Sequence, residues 1–105
     1  MPIVPAVFVN QSQIRSGVKR ATRALAPDVV RIRYSLDNDW IGDPSVFFRI
    51  VLSDDASSKA QLSDIAEKVA LRILNEVKTE ELGLHPYFNF RSFSEQAQLQ
   101  EAAWA

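Results

Sequence analysis

The chain has 105 residues, 47% of them hydrophobic, and a formal net charge of −1 at pH 7. This length fits one domain, 1–105, and this hydrophobic content is typical of a globular rather than a disordered protein. The absence of cysteine excludes disulfides and thiolate metal sites, and the near-zero net charge argues against a strong polyanion binder. No apolar run reaches the roughly 20 residues that cross a bilayer, so we expect a soluble cytoplasmic protein.

The first two predicted elements are an extended arm and a helix. Two prolines interrupt the apolar segment 1–10, which favours an arm that docks on the domain or on a neighbouring subunit. A helix is expected to start at Asn10 or Ser12 and to end before Pro27. One helical face is apolar, at Ile14, Val18, Ala21 and Leu25. The opposite surface is basic, at Arg15, Lys19, Arg20 and Arg23.

The segment from Val29 to Leu52 predicts two antiparallel strands joined by an acidic loop, because apolar residues alternate along both halves. One set of alternating residues is expected to face the helices: Val30, Ile32, Tyr34 and Leu36 in the first strand, then Val46, Phe48, Ile50 and Leu52 in the second. The other set is expected to form the second face of the sheet: Arg31, Arg33, Phe47, Arg49 and Val51.

A second long helix is predicted after the hairpin. Its apolar stripe consists of Leu62, Ile65, Val69, Ile73 and Val77. Ser58 with Gln61 has the spacing of a capping box at its start, and Gly83 is expected to close its end. A third strand is predicted over 87–91, with either Phe88 and Phe90 or their alternates on the second face. A tail helix over 94–105 is expected to begin at Ser94.

These elements predict a small α+β fold of α-β-β-α-β order with a short C-terminal helix. A right-handed crossover would place the third strand parallel to the second, giving a two-layer sandwich with a three-stranded mixed sheet and two main helices on one face. The order resembles that of RNA-binding modules of the KH kind and of ribosome-assembly factors built on them. KH modules hold the nucleic-acid backbone with a Gly-x-x-Gly loop, which this chain lacks.

The second sheet face mixes arginines with large apolar side chains and has three interpretations. The chain's own arm and tail could cover it. It could instead bind a protein partner or a second copy, since aromatic and arginine side chains are enriched in interfaces. Finally, single-stranded nucleic acid could stack on its rings.

The acidic loop and the single histidine are the candidate sites for metal binding or catalysis. The loop from Asp37 begins like a calcium loop, but Ile41 at its fifth position and Phe48 at its twelfth break the pattern, so we expect no metal or cofactor. Trp40 at the loop tip either packs against the domain or anchors a contact. His85 either bonds the end of the preceding helix or acts as a general base beside a loop aspartate.

The sequence contains no recognisable catalytic set, and we therefore expect a protein-interaction or assembly module, either a homodimer or a subunit of a complex, rather than an enzyme. The expected partner-binding residues are Arg31, Arg33, Phe47, Arg49 and Trp40. The alternative is a weak binder of RNA or single-stranded DNA that uses the basic first helix. A third hypothesis is a hydrolase-like activity centred on His85.

Overall fold

The computed structural model describes residues 11–105. Its elements are helix α1 (Gln11–Leu25), strands β1 (Val29–Asn38) and β2 (Pro44–Leu52), helix α2 (Leu62–Val77), strand β3 (His85–Ser92), helix α3 (Phe93–Leu99) and a 3-10 turn at Ala102–Trp104. The predicted α+β order is confirmed. The expected arm over 1–10 and the expected helix start at Asn10 lie outside the described residues. Among residues 11–105, no helix is both long and apolar enough to cross a membrane.

The three strands form one mixed sheet in the order β1-β2-β3. Strands β1 and β2 are antiparallel, and β3 runs parallel to β2, as the crossover rule predicts. Residues opposite each other across the strands share a face, so the register separates an inner from an outer face. The inner face packs against α1 and α2, with Phe48, Ile50 and Leu52 fully buried. Phe88 and Phe90 also pack on this side.

The start of β1 differs from the predicted alternation. The register shifts between Val29 and Arg31, as it does at a β-bulge, where one strand carries an extra residue. Val29 is therefore buried, whereas Val30 is 38% exposed. The prediction that Val30 faces the helices is wrong, although Ile32, two residues further on, is buried as expected.

The two main helices approach each other closely at Gly17. A Cβ atom there would lie 2.8 Å from the carbonyl oxygen of Glu76, so only glycine fits without a shift of the backbone. Beside this contact, the side chains of Gln13 and Arg20 donate hydrogen bonds to the carbonyl oxygens of Val77 and Glu76. These carbonyls belong to the last turn of α2 and lack partners within the helix. The predicted buried stripe of α1 is confirmed.

Both ends of α2 differ from the predicted ones. The helix begins at Leu62, and Ser58 lies in the preceding turn, where its carbonyl oxygen accepts from the backbone amides of Gln61 and Leu62. At the other end, Lys78 adopts the left-handed conformation with φ 58° and closes the helix. Gly83 also has a positive φ, but it belongs to the next turn.

Helix α3 begins two residues earlier than predicted. The hydroxyl of Ser92 accepts a hydrogen bond from the backbone amide of Glu95, so Ser92 rather than Ser94 is the N-cap. The helix ends at Leu99, and Gln100 turns the chain with a φ of 51°. The tail then leads to Trp104, which is nearly buried.

Candidate functional site: the outer face of the sheet

The outer face is the side of the sheet turned away from α1 and α2. Its side chains, row by row from the loop end, belong to Asp37, Ser45 and His85, then Ser35, Phe47 and Tyr87, then Arg33, Arg49 and Asn89, then Arg31, Val51 and Arg91. The C-terminal tail covers the last of these rows. We call that part the covered half and the rows nearer the β1–β2 loop the open half.

Two arginines predicted to bind a partner contact the chain's own tail: Arg31 in the covered half and Arg33 in the adjacent row of the open half. The Nε of Arg31 donates to the carbonyl oxygen of Trp104 over 2.9 Å. The Nε of Arg33 donates to the backbone oxygen of Ala105. Trp104 itself is 8% exposed, and Val51 beneath the tail is fully buried. For this half of the outer face, the interpretation that the tail covers the sheet fits the structure.

Arg91 holds the tail in place through several contacts. Its guanidinium carbon lies 4.4 Å from the centre of the Trp104 ring, which is the geometry of a cation–π contact. It also donates to the side-chain oxygen of Gln96 over 3.0 Å and forms an ion pair with Glu101. Gln96, 5% exposed, donates in turn to the carbonyl oxygen of Glu101. The tail is therefore fixed by a polar network around one arginine.

A carboxylate from the β2–α2 connection ties down the start of α3. Asp54 accepts hydrogen bonds from the hydroxyl and the backbone amide of Ser94. These two bonds, the hydroxyl first, hold the pKa of Asp54 below its ordinary value. The negative charge lies near the N-terminal turn of the helix, where it is favourable.

The open half contains an aromatic cluster, which consists of Trp40, Phe47, His85 and Tyr87. Tyr87 lies at its centre. The Phe47 ring is stacked on it, with centroids 5.1 Å apart and planes inclined by 13°. The rings of Trp40 and His85 lie 5.3 and 5.2 Å from the Tyr87 ring at steeper angles. Three separate elements, β2, β3 and the loop, thus contribute to one aromatic surface.

Asp39 joins the loop to the aromatic cluster. Its Oδ1 accepts from the backbone amides of Ile41 and Asp43, and its Oδ2 accepts from the hydroxyl of Tyr87 over 2.8 Å. Burial opposes ionisation of Asp39, but these hydrogen bonds and nearby His85 outweigh it and lower the pKa of Asp39. Burial and then the Asp39 carboxylate raise the pKa of Tyr87. The ionised carboxylate of Asp39 therefore fixes the loop through these hydrogen bonds.

The ordered loop presents two large apolar side chains to solvent. Trp40 is 80% exposed and Ile41 is 69% exposed. Gly42 allows the tight turn because it adopts a φ of +90°, and Asp39 and Asp43 close the turn through their backbones. The Trp40 ring thus contacts Tyr87 but keeps most of its surface in solvent, and its role as a contact anchor stays a prediction.

Among the hydrogen bonds of residues 11–105, none joins the His85 ring to a loop aspartate, although His85 lies near Asp39. Its side chain is exposed and its ring contacts Tyr87. Both oxygens of Asp39 already accept hydrogen bonds from other groups. Within residues 11–105, no three metal-ligating side chains of the His, Asp or Glu type are grouped together.

The basic residues of α1 lie on the helical layer, on the other side of the sheet from the outer face. Arg20 forms an ion pair with Glu76, whose carboxylate also meets Arg72. Arg15, Lys19 and Arg23 are exposed and form no ion pair within the described part of the chain. The basic surface of α1 is thus separate from the outer face of the sheet.

Tyr87 is the central residue that sequence reasoning missed. It was assigned to a strand, but nothing singled it out among the aromatic residues of that segment. The available signal was the parallel register, which places Tyr87 beside Phe47.

Models of known protein families give no match to this chain, and a search of curated proteins finds no significant relative. A functional assignment of this chain therefore depends on the geometry of its own side chains.

Proposed function

We propose that this chain is a small cytoplasmic protein-interaction module that binds its partner through the open half of the outer face. The observation that carries the proposal is Trp40, which is 80% exposed yet held on a hydrogen-bonded loop. Tryptophan, tyrosine and arginine dominate the binding energy of protein interfaces. A loop that is already ordered loses little conformational freedom when it binds, so more of the contact energy becomes affinity.

The other side chains of the open half fit the same role. Ile41 adds a second apolar contact beside Trp40, and the stacked rings of Phe47 and Tyr87 form a flat aromatic surface. Arg49 lies in the row next to these two rings and donates to the hydroxyl of Ser35 over 2.7 Å. An aromatic centre with a polar border is the usual arrangement of a protein interface. Of the residues expected from the sequence, Trp40, Phe47 and Arg49 belong to this surface, whereas Arg31 and Arg33 contact the tail.

The test is photo-crosslinking in cells that express the chain naturally. Trp40 is replaced by p-benzoylphenylalanine, and the matched control carries the same group in place of Leu71, an exposed apolar residue of α2 that is 60% exposed. We expect a discrete covalent adduct from position 40 and none of that mass from position 71. No adduct from position 40, or the same adducts from both positions, would contradict the proposal.

Binding of RNA or single-stranded DNA by the helical layer is the second candidate. It is favoured by Arg15, Lys19 and Arg23, which are exposed and form no ion pair within residues 11–105. Phosphate contacts of this kind weaken steeply with salt. A labelled oligonucleotide should therefore bind more tightly at low than at high salt, and Lys19→Glu should weaken it. Absence of binding at low salt would reject this candidate.

A further inference from the structure

We infer that the partner on the open half is a second copy of this chain, related to the first by a two-fold axis that passes near Phe47. The inference rests on the proposed function of the open half and adds the identity of its occupant. It derives from the order of charged and aromatic rows along that surface. After a two-fold rotation of one copy, the rows of the two copies are complementary in charge.

The first observation is an arginine of this surface, Arg49, that contacts no carboxylate of the described residues. Arg33 and Arg49 are direct cross-strand neighbours on the outer face. Like charges in this position destabilise a strand pair. No carboxylate of residues 11–105 forms an ion pair with Arg49, whose side-chain acceptor is the neutral hydroxyl of Ser35, whereas Arg33 already donates to the backbone oxygen of Ala105. This row therefore has donors left for carboxylates supplied by another molecule.

The second observation is that the same surface carries exposed carboxylates at its loop end. Asp37 lies on the outer face of β1, four residues from Arg33, which corresponds to about 13 Å along a strand. Asp43 is exposed at the same end of the sheet. The row of Phe47 and Tyr87 lies between the acidic and the basic rows. Along the strands, exposed carboxylates at the loop end, in a row that also contains His85, are therefore followed by the aromatic row and then by the basic row.

A two-fold axis through the aromatic row matches these rows in pairs. In such an interface, residue i of one copy meets residue j of the other, and j meets i. The acidic row with Asp37 then faces the basic row with Arg33 and Arg49 of the second copy, twice over. The stacked rings of Phe47 and Tyr87 meet their own equivalents at the centre. Each copy thereby supplies the counter-charges that the other lacks.

The charge of the whole chain permits this association. A formal net charge of −1 leaves little long-range repulsion between two copies. A partner of a single strong charge would meet repulsion from either the acidic or the basic row. The surface instead suits a partner with the same rows in reverse order. A second copy related by the two-fold axis presents its rows in that order.

The experiment measures the dimer dissociation constant by sedimentation over a range of concentrations. Arg49→Glu is used because Arg33 also holds the tail. We expect Arg49→Glu alone and Asp37→Arg alone each to weaken the dimer at least about tenfold, because each places like charges opposite one another. The double variant restores the attraction with its signs exchanged and should recover most of the affinity.

The control is Arg15→Glu, which makes the same change of charge on the helical layer and should leave the dimer unchanged. Thermal unfolding of each variant separates loss of the interface from loss of the fold. A strictly monomeric wild-type chain at high micromolar concentration overturns the inference. So does a dimer that ignores the charge variants, or one that the double variant fails to restore.

These outcomes also separate the inference from the proposed function. An adduct of p-benzoylphenylalanine at position 40 with the mass of two chains supports both. An adduct with a different protein, together with a monomeric chain, overturns only the inference about a second copy. A monomeric chain without any adduct overturns both.

Discussion

The covered and open halves of the outer face use the same residue types with opposite results. In the covered half, Trp104 is 8% exposed and lies under the guanidinium of Arg91. In the open half, Trp40 is 80% exposed although it touches Tyr87. Both tryptophans are ordered by contacts with their surroundings. The comparison separates an ordered side chain from a buried one, and only the ordered and exposed tryptophan is available to a partner.

The difference between the halves lies in where the arginine donors go. In the covered half, Arg31 and Arg91 donate to carbonyl oxygens and polar side chains of the tail. In the open half, Arg49 donates to one neutral hydroxyl, that of Ser35. A guanidinium has five donors, so Arg49 retains several for another molecule. A mixture of arginine and aromatic residues is thus not sufficient to identify an interface. The donors that remain free distinguish the open half.

Removal of the two tryptophans tests this comparison with the largest expected effect. We expect Trp104→Ala to lower the free energy of unfolding by about 3 kcal/mol or more, because a large buried ring is lost and leaves a cavity. Trp40→Ala should change it by about 0.5 kcal/mol or less, because the ring is mostly in water. Urea unfolding of both variants measures the difference. Equal losses of stability would show that the two halves are not distinct.

Replacement of the two arginines tests the same comparison with a smaller effect. Arg91→Met removes the cation–π contact, the bond to Gln96 and the ion pair with Glu101, and should cost about 1–2 kcal/mol. Arg49→Met removes one hydrogen bond to Ser35 and should cost about 0.5 kcal/mol while weakening association. Urea unfolding and sedimentation measure the two properties. A larger loss of stability from Arg49→Met would contradict the assignment of the halves.

Most of the fold could be predicted from the sequence, because its elements have clear periodicity. The alternation through 29–52 and the stripe along α2 depend on which face each residue presents, and burial enforces both. The bulge at Val30 has no such signal, since alternation does not record where an extra residue enters a strand. The helix caps differed for a similar reason. Ser58 and Ser94 had suitable side chains, but the backbone path selected Gln61 and Ser92 as the flanking residues.

The division of the outer face could not be predicted. It depends on the path of the tail after Gln100, whose left-handed conformation is uncommon for a residue with a side chain. The acceptors for Arg31 and Arg33 are backbone oxygens of the tail, and every residue has one, so they leave no sequence pattern. The long-range contact between Asp39 and Tyr87 was equally hidden. Sequence reasoning found the face but could not tell which part the chain itself covers.

Acidification should loosen the loop of the open half. The pKa of Asp39 is lower in the folded protein than its ordinary value of 3.8. Its ionised form therefore stabilises the loop at pH values above 3.8. That stabilisation is fully present at neutral pH and is lost as the pH falls through the lower folded value. The backbone amides of Ile41 and Asp43, which donate to Asp39, should report the loss in an NMR titration. Unchanged amide signals through that range would contradict the role of Asp39.

Tyr87→Phe should give the smallest effect, a rise in the pKa of Asp39 with the fold unchanged. The variant removes one of the three hydrogen bonds to the carboxylate, and the two backbone bonds remain. Asp54 is the internal control, because its pKa is lowered by Ser94 in the covered half. Carboxyl-carbon NMR titration should therefore show a shift at Asp39 alone in Tyr87→Phe and at Asp54 alone in Ser94→Ala. If either variant moved both carboxylates, the two halves would be coupled through the sheet, and the open half could not be treated as a surface independent of the tail.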